Sequence, residues 1–189
     1  MTERLPPLDM ASLDPAQRKA ADALIAGPRK AVIGPFIALL RSPDLMDQLQ
    51  RVGEYLRFRT SVPAKLNEFA ICLASRHVAN QFEWAIHHSH AVKAGVAPAA
   101  LEAVAAGRRP AALPGDEQTV YDFCTELLAT NGVSDATYAR AKELLAEKGV
   151  VDLVALLGYF ATVGWVMNVA GTPPPAGTTV APLPPPTRA

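Results

Sequence analysis

Glu83 and His87 stand four residues apart, with Asn80 three residues before the pair and His90 three residues after it. In a helix these four side chains share one face. A carboxylate beside an imidazole fixes the ring's tautomer and raises its pKa, which makes a usable general acid or base. The segment from Asn67 to Gly95 holds all four histidines of the chain, His77, His87, His88 and His90, together with Glu68 and Trp84. Chemistry is expected there. Glu68 lies about five helical turns upstream of His87 if the segment is one straight helix. It reaches His87 only if two helices fold back on each other.

The same residues have plainer readings. Asn80 and Glu83 fit a capping box. His87 can be read as a surface or satisfied core histidine, at least one of His88 and His90 is expected to be plain surface, and His77 reads as packing or surface. Glu83, His87 and His90 could also line up three metal ligands, although metal sites usually draw their ligands from separate elements. The discriminating feature is convergence. If Glu68, Glu83 and His87 meet in an enclosed pocket, the stripe is catalytic; if the stripe is solvated and Glu83 caps a helix, it is not.

Helices must do the positioning. Asp14-Pro15 caps a helix that runs to about Ala26 and stops at Gly27-Pro28. Pro35 opens a short helix, and Ser42-Pro43 repeats the cap-plus-proline signal before a longer one whose apolar stripe is Leu45, Leu49, Val52 and Leu56. Two helices are expected in the central stretch, about Ala64 to Val78 and about Asn80 to Ala94, with Gly95 as a stop. Further helices follow from Pro98 to Gly107, from Asp116 to Thr130 with Asn131-Gly132 as a left-handed cap, from Ser134 to Gly149, and from Val150 to about Val169. No segment alternates with period two, so the fold class is all-α. Residues 1–171 read as one helical domain with an extended N-terminal arm, and residues 172–189 as a proline-rich tail. The tail's seven prolines bar a helix. It is either disordered or a strap anchored by Val180 and Leu183.

Composition narrows the function. Eighteen Lys and Arg balance eighteen Asp and Glu with no basic run, which argues against a nucleic-acid partner. Only 19% of residues are charged while 50% are apolar, more than a small helical monomer hides easily; a homo-oligomer is expected. Val150 to Ala170 is apolar but carries Asp152 and Asn168, so it reads as a buried helix rather than a membrane span. The N-terminus has no apolar run of a signal peptide, and a cytoplasmic location is expected.

Glu68, the Glu83-Trp84 pair and His87, continuing into Ala94-Gly95-Val96, resemble the core motif of the carboxymuconolactone decarboxylase family, best matched over residues 64–107. Gly158-Tyr159 also fits its longer members. The resemblance implies an alkylhydroperoxidase D-like helical bundle assembled as a trimer or hexamer. It also implies a lyase that needs no cofactor and no metal, acting on a small carboxylated lactone or related aromatic-degradation intermediate. It carries Glu68, Glu83 and His87 over as catalytic residues. In the peroxidase branch a CxxC pair occupies the positions that are Asn80 and Glu83 here, so thiol redox chemistry lacks both its nucleophile and its resolving partner. Cys72, four residues after Glu68, has a carboxylate neighbour that raises its pKa and makes it inert. His87 is expected as proton donor, with Arg76 as anion anchor, Asn80 as a substrate contact, and Trp84 and Phe82 as the apolar wall. The alternative is a non-catalytic oligomeric binding or accessory protein on the same scaffold.

Overall fold

The computed structural model describes residues 2–185, and among them it is all-α: eight α-helices, one 3-10 turn and no strand. The helices are α1 (Pro15–Ala26), α2 (Pro35–Leu39), α3 (Pro43–Phe58), α4 (Ala64–His77), α5 (Gln81–Lys93), α6 (Pro98–Ala105), α7 (Gly115–Thr130) and α8 (Asp135–Ala170). Asp14 and Gln17 form a full capping box on α1. Ser134 caps α8, and Asn131 ends α7 in the left-handed conformation, both as its residue type dictates. Ser42 departs from expectation: its side chain makes no capping bond, and Pro43 alone opens α3.

Helix α4 is the axis of the bundle and packs against α5, α6, α7 and α8. Its residues Leu66, Asn67 and Phe69 to Ser75 are all buried. A helix covered on nearly every side, with a mostly apolar run from Phe69 to Ala74, belongs in a core. Glu68 is the exception in that run and is only partly covered. The main core joins α4 to α7 and α8 through Phe69, Ile71, Phe123, Leu153 and Phe160. A second cluster, with Leu24, Phe36, Leu39 and Met46, ties α1 and α2 to α3.

The buried face of α3 is rotated from the predicted stripe. Of that stripe Leu56 is buried and Leu49 packs partly covered against the core, but Leu45 and Val52 are 49% and 46% exposed, and Met46 and Gly53 are buried instead. Gly53 explains the rotation. A Cβ at this position would run into the hydroxyl of Tyr159 and the guanidinium of Arg29. The glycine therefore faces inward and the valine outward.

The predicted boundary at Gly149 also moves. The chain breaks helical geometry at Ala146 (φ 57°, ψ 174°), and Gly149 lies inside the helix. Gly149 is buried because a Cβ there would clash with Leu145, which the break turns back onto it. Near the break, Asp152 accepts hydrogen bonds from Tyr55, Thr60, Ser61 and Lys148. Burial pushes its carboxyl up, but those four partners outweigh it and hold it well below the usual range. This anchor fixes the α3–α4 connection against α8.

By length and composition α8 could cross a membrane, yet 61% of its most apolar window is buried within the fold. Its outer face remains open and uncharged: Val151, Val154, Gly158, Thr162, Trp165 and Val169 are exposed at helical spacing.

The tail is a strap across its own domain as far as it is described; residues 186–189 lie outside the described residues. Leu183 is 3% exposed, and its backbone exchanges hydrogen bonds with the Gln81 side chain at 2.9 and 3.0 Å. The indole of Trp84 donates to Ala181 O at 3.1 Å. At the other end, the arm's Arg4 and Leu5 N–H groups donate to Ala170 O and close the end of α8.

Candidate active site

Glu68 and His87 are brought together by the corner between α4 and α5. Ala79 takes positive φ (51°) there, and Asn80 then starts α5 by accepting from the Glu83 N–H at 2.8 Å. The Asn80 amide donates to Asn168 Oδ1 at 2.8 Å and to Gly164 O at 3.1 Å, while Asn168 donates to Val78 O at 2.7 Å. Gly164 has no Cβ to strike Val78. The corner is thereby locked onto α8, and α5 folds back along α4.

In that hairpin His87 is 2% exposed and lies between two carboxylates. Its Nδ1 is 2.6 Å from Glu68 Oε2, and its Nε2 is 3.2 Å from Glu83 Oε2. A neutral imidazole has one N–H and satisfies one carboxylate; the imidazolium satisfies both. Burial alone pushes the His87 pKa down, but Glu68 and Glu83 together push it further up, so the net shift is upward. Glu68 in turn is driven up by burial and down, by more, through its bond to His87 and the nearby charge of Arg57. Phe160 sets its ring edge-on to His87 at 5.0 Å and fixes the imidazole plane.

His87 and Glu83 form part of the wall of a cleft of about 360 Å³. The cleft opens where the α1–α2 loop, the end of α3, α5 and α8 meet. Phe58, Phe82, Ile86 and Phe160 give it apolar sides, and Arg29, Arg57, His90 and Tyr159 bring polar groups. Burial pushes the Tyr159 phenol up to about 12, so its hydroxyl stays a neutral donor. Burial likewise lowers His90, followed by a partly offsetting pull from Glu68, and the ring is neutral at pH 7.

The six residues singled out by sequence divide evenly. Glu68, Glu83 and His87 converge. Asn80, Arg76 and Trp84 do not line the cleft. Asn80 spends its side chain on the α5 cap and on α8, and only the first half of the capping box forms: its own N–H donates to Ser75 O, leaving the Glu83 carboxylate to His87. Arg76 donates to Ala105 O at 2.9 Å and holds the end of α6. Trp84 is buried against the strap and His88. Of the expected apolar wall only Phe82 is in place. Arg29 and Arg57, which sequence reasoning missed, are the guanidinium groups that line the cleft. Arg57 follows a buried leucine near the end of α3 and Arg29 sits in a Gly-Pro loop, and neither context marks a site.

Among the described residues, Glu68, His87 and His90, rather than Glu83, His87 and His90, form the set with metal-ligand geometry; their ligand atoms lie within 4.8 Å of one another. A cation there would compete with the Glu68–His87 hydrogen bond and would face the guanidinium of Arg57. Cys72 is buried, and burial followed by the Glu68 charge pushes its thiol well up. It is no nucleophile.

Comparison with known proteins adds no relative: no family model matches the chain, and no curated protein matches it.

Proposed function

We propose that this chain is a lyase that needs no cofactor, of the carboxymuconolactone decarboxylase type, removing carbon dioxide from a small carboxylated lactone or a related aromatic-degradation intermediate. The observation that carries the reading is a buried His87 held between Glu68 and Glu83, with His87 and Glu83 in the wall of a small, largely apolar cleft. An alkylhydroperoxidase D-like arrangement of the helices and a cytoplasmic homo-oligomer belong to the same proposal. The open apolar face of α8 supports assembly: it carries no charge, and its small central residues, Gly158 and Thr162, lie between larger ones, a shape that suits a second copy of the same helix.

The residues divide the work as follows. The carbon–carboxylate bond breaks, carbon dioxide leaves, and the electron pair passes into the conjugated lactone carbonyl as a dienolate. The Tyr159 hydroxyl, held neutral by burial, donates to that oxyanion as charge develops. The α-carbon takes a proton from His87 Nε2. Nδ1–H remains on Glu68, so the ring is left as a neutral imidazole of defined tautomer. Glu83, beside Nε2, favours reprotonation from solvent for the next cycle. Phe58, Phe82 and Ile86 exclude water from the dienolate.

The test is a screen of purified protein against carboxymuconolactone and related carboxylated lactones, with carbon dioxide release measured. His87→Ala should lose turnover by at least about a hundredfold while the helical circular-dichroism signal stays unchanged. Undiminished turnover in that variant would overturn the assignment of His87.

A further inference from the structure

The cleft contains two guanidinium groups that the proton-transfer chemistry does not use. Arg29, in the α1–α2 loop, and Arg57, on α3, both line it beside His87. Among the described residues neither makes an ion pair. Glu54, whose charge reaches Arg29, is engaged by Arg59 at 3.6 Å, and Glu68, whose charge reaches Arg57, is bound to His87. Arg57 Nε is buried and has no hydrogen-bond partner. A buried donor left unpaired is costly, and in a native protein such a group calls for an explanation.

Arg29 is placed with care. It stacks over Phe36 at 4.8 Å, donates to Gln50 O at 3.3 Å, and shares the notch over Gly53 with the Tyr159 hydroxyl. Burial lowers its pKa, Tyr159 partly offsets this, and the charge of Arg57 lowers it further against a smaller pull from Glu54. Two cations held near each other in a partly buried cleft repel. An anion between them would relieve that repulsion. The lining of the cleft points the same way: two guanidiniums, Arg29 and Arg57, stand against one carboxylate, Glu83.

We propose that Arg29 and Arg57 form a carboxylate seat, taking a small organic acid whose apolar body lies against Phe58, Phe82, Ile86 and Phe160. The inference rests on the reading of this cleft as a small-molecule site and adds the chemical class of the ligand. It also says which carboxylate is held. A cation gripping a carboxylate that leaves as neutral carbon dioxide stabilises the ground state over the transition state and slows the reaction. The pair therefore holds a carboxylate that stays on the ligand, and turns the labile one toward His87.

Direct binding tests this without any turnover. Isothermal titration of the full chain with benzoate, its neutral isostere benzamide, and inorganic phosphate should show benzoate binding at least about tenfold tighter than the other two, weakening as sodium chloride is raised. Arg29→Gln and Arg57→Gln should each lose about tenfold or more in benzoate affinity, with Arg57→Lys falling between Arg57→Gln and wild type because it keeps the charge but not the fork. Benzamide binding as tightly as benzoate, phosphate binding more tightly, or both glutamine variants binding benzoate like wild type would overturn the seat. The wild-type comparison of benzoate with benzamide holds even if a variant misfolds. Benzoate held through the arginines in a protein that decarboxylates no lactone would refute the lyase and keep the seat; lactone turnover with arginine-independent binding would do the reverse.

Discussion

Replacing Glu68 with Gln tests the centre of the site through stability alone. Gln keeps the length of the side chain and can accept from His87 Nδ1, so the 2.6 Å contact survives as a neutral-acceptor hydrogen bond. A hydrogen bond to a charged group contributes about 1.5–3 kcal/mol and a neutral one about 0.5–1.5 kcal/mol. His87 and Glu68 have side-chain exposures of 2% and 16%, so solvent screening removes little of the difference, and the variant should be about 1–1.5 kcal/mol less stable. The deficit should depend on pH. The folded pKa of His87 is raised above its ordinary 6.5, so its contribution is fully present below 6.5 and is lost as pH rises through the folded value. The folded pKa of Glu68 is lowered from its ordinary 4.5, so its contribution is present above 4.5 and is lost as pH falls through the folded value. Both are in force between 4.5 and 6.5. Urea unfolding of wild type and Glu68→Gln at about pH 5.5 and about pH 9 should show the full deficit at the lower pH and a smaller one at the higher. A deficit equal at both, or larger at the alkaline end, would refute the paired imidazolium.

Two further outcomes follow from other parts of the molecule. Leu183→Ala should destabilise the protein by about 2 kcal/mol, at the low end for a buried leucine because the strap can yield, and should expose the tail to limited proteolysis; a tail as resistant as wild type would mean that Leu183 is no anchor. Trp165→Glu places a charge on the open face of α8, and light scattering should then give the monomer mass where wild type gives a multiple of it. An unchanged assembly, or a monomeric wild type, would remove that face from the interface.

Much of the helix pattern was legible because its signals are local. Asp14-Pro15, Ser134 and Asn131 act on backbone groups within a turn of themselves, and each does in the structure what its type allows. The face of α3 was legible only in part: Leu49 and Leu56 pack on the core as their spacing suggests, but Gly53 looks outward-facing in a hydrophobic pattern and turns inward beside Tyr159, more than a hundred residues away. The break at Ala146 was misplaced at Gly149 for a like reason. Glycine reads as a stop, but here it is a contact for Leu145.

The site divides along the same line. The Glu83–His87 pair was set by the sequence alone, because four residues on a helix are neighbours whatever surrounds them. Glu68 could be named a candidate, but its place at 2.6 Å from His87 was decided by the locked corner at Ala79 and Asn80, where Asn80 serves α8 rather than a substrate. The cationic wall was decided by tertiary structure altogether. Arg76 and Arg57 are alike as residues in a helix. Only packing sends one to a backbone carbonyl and leaves the other facing the cleft with a buried N–H unpaired. Spacing along a chain specifies neighbours within a turn or two, whereas the partner of a charge, and the absence of one, depends on which elements meet.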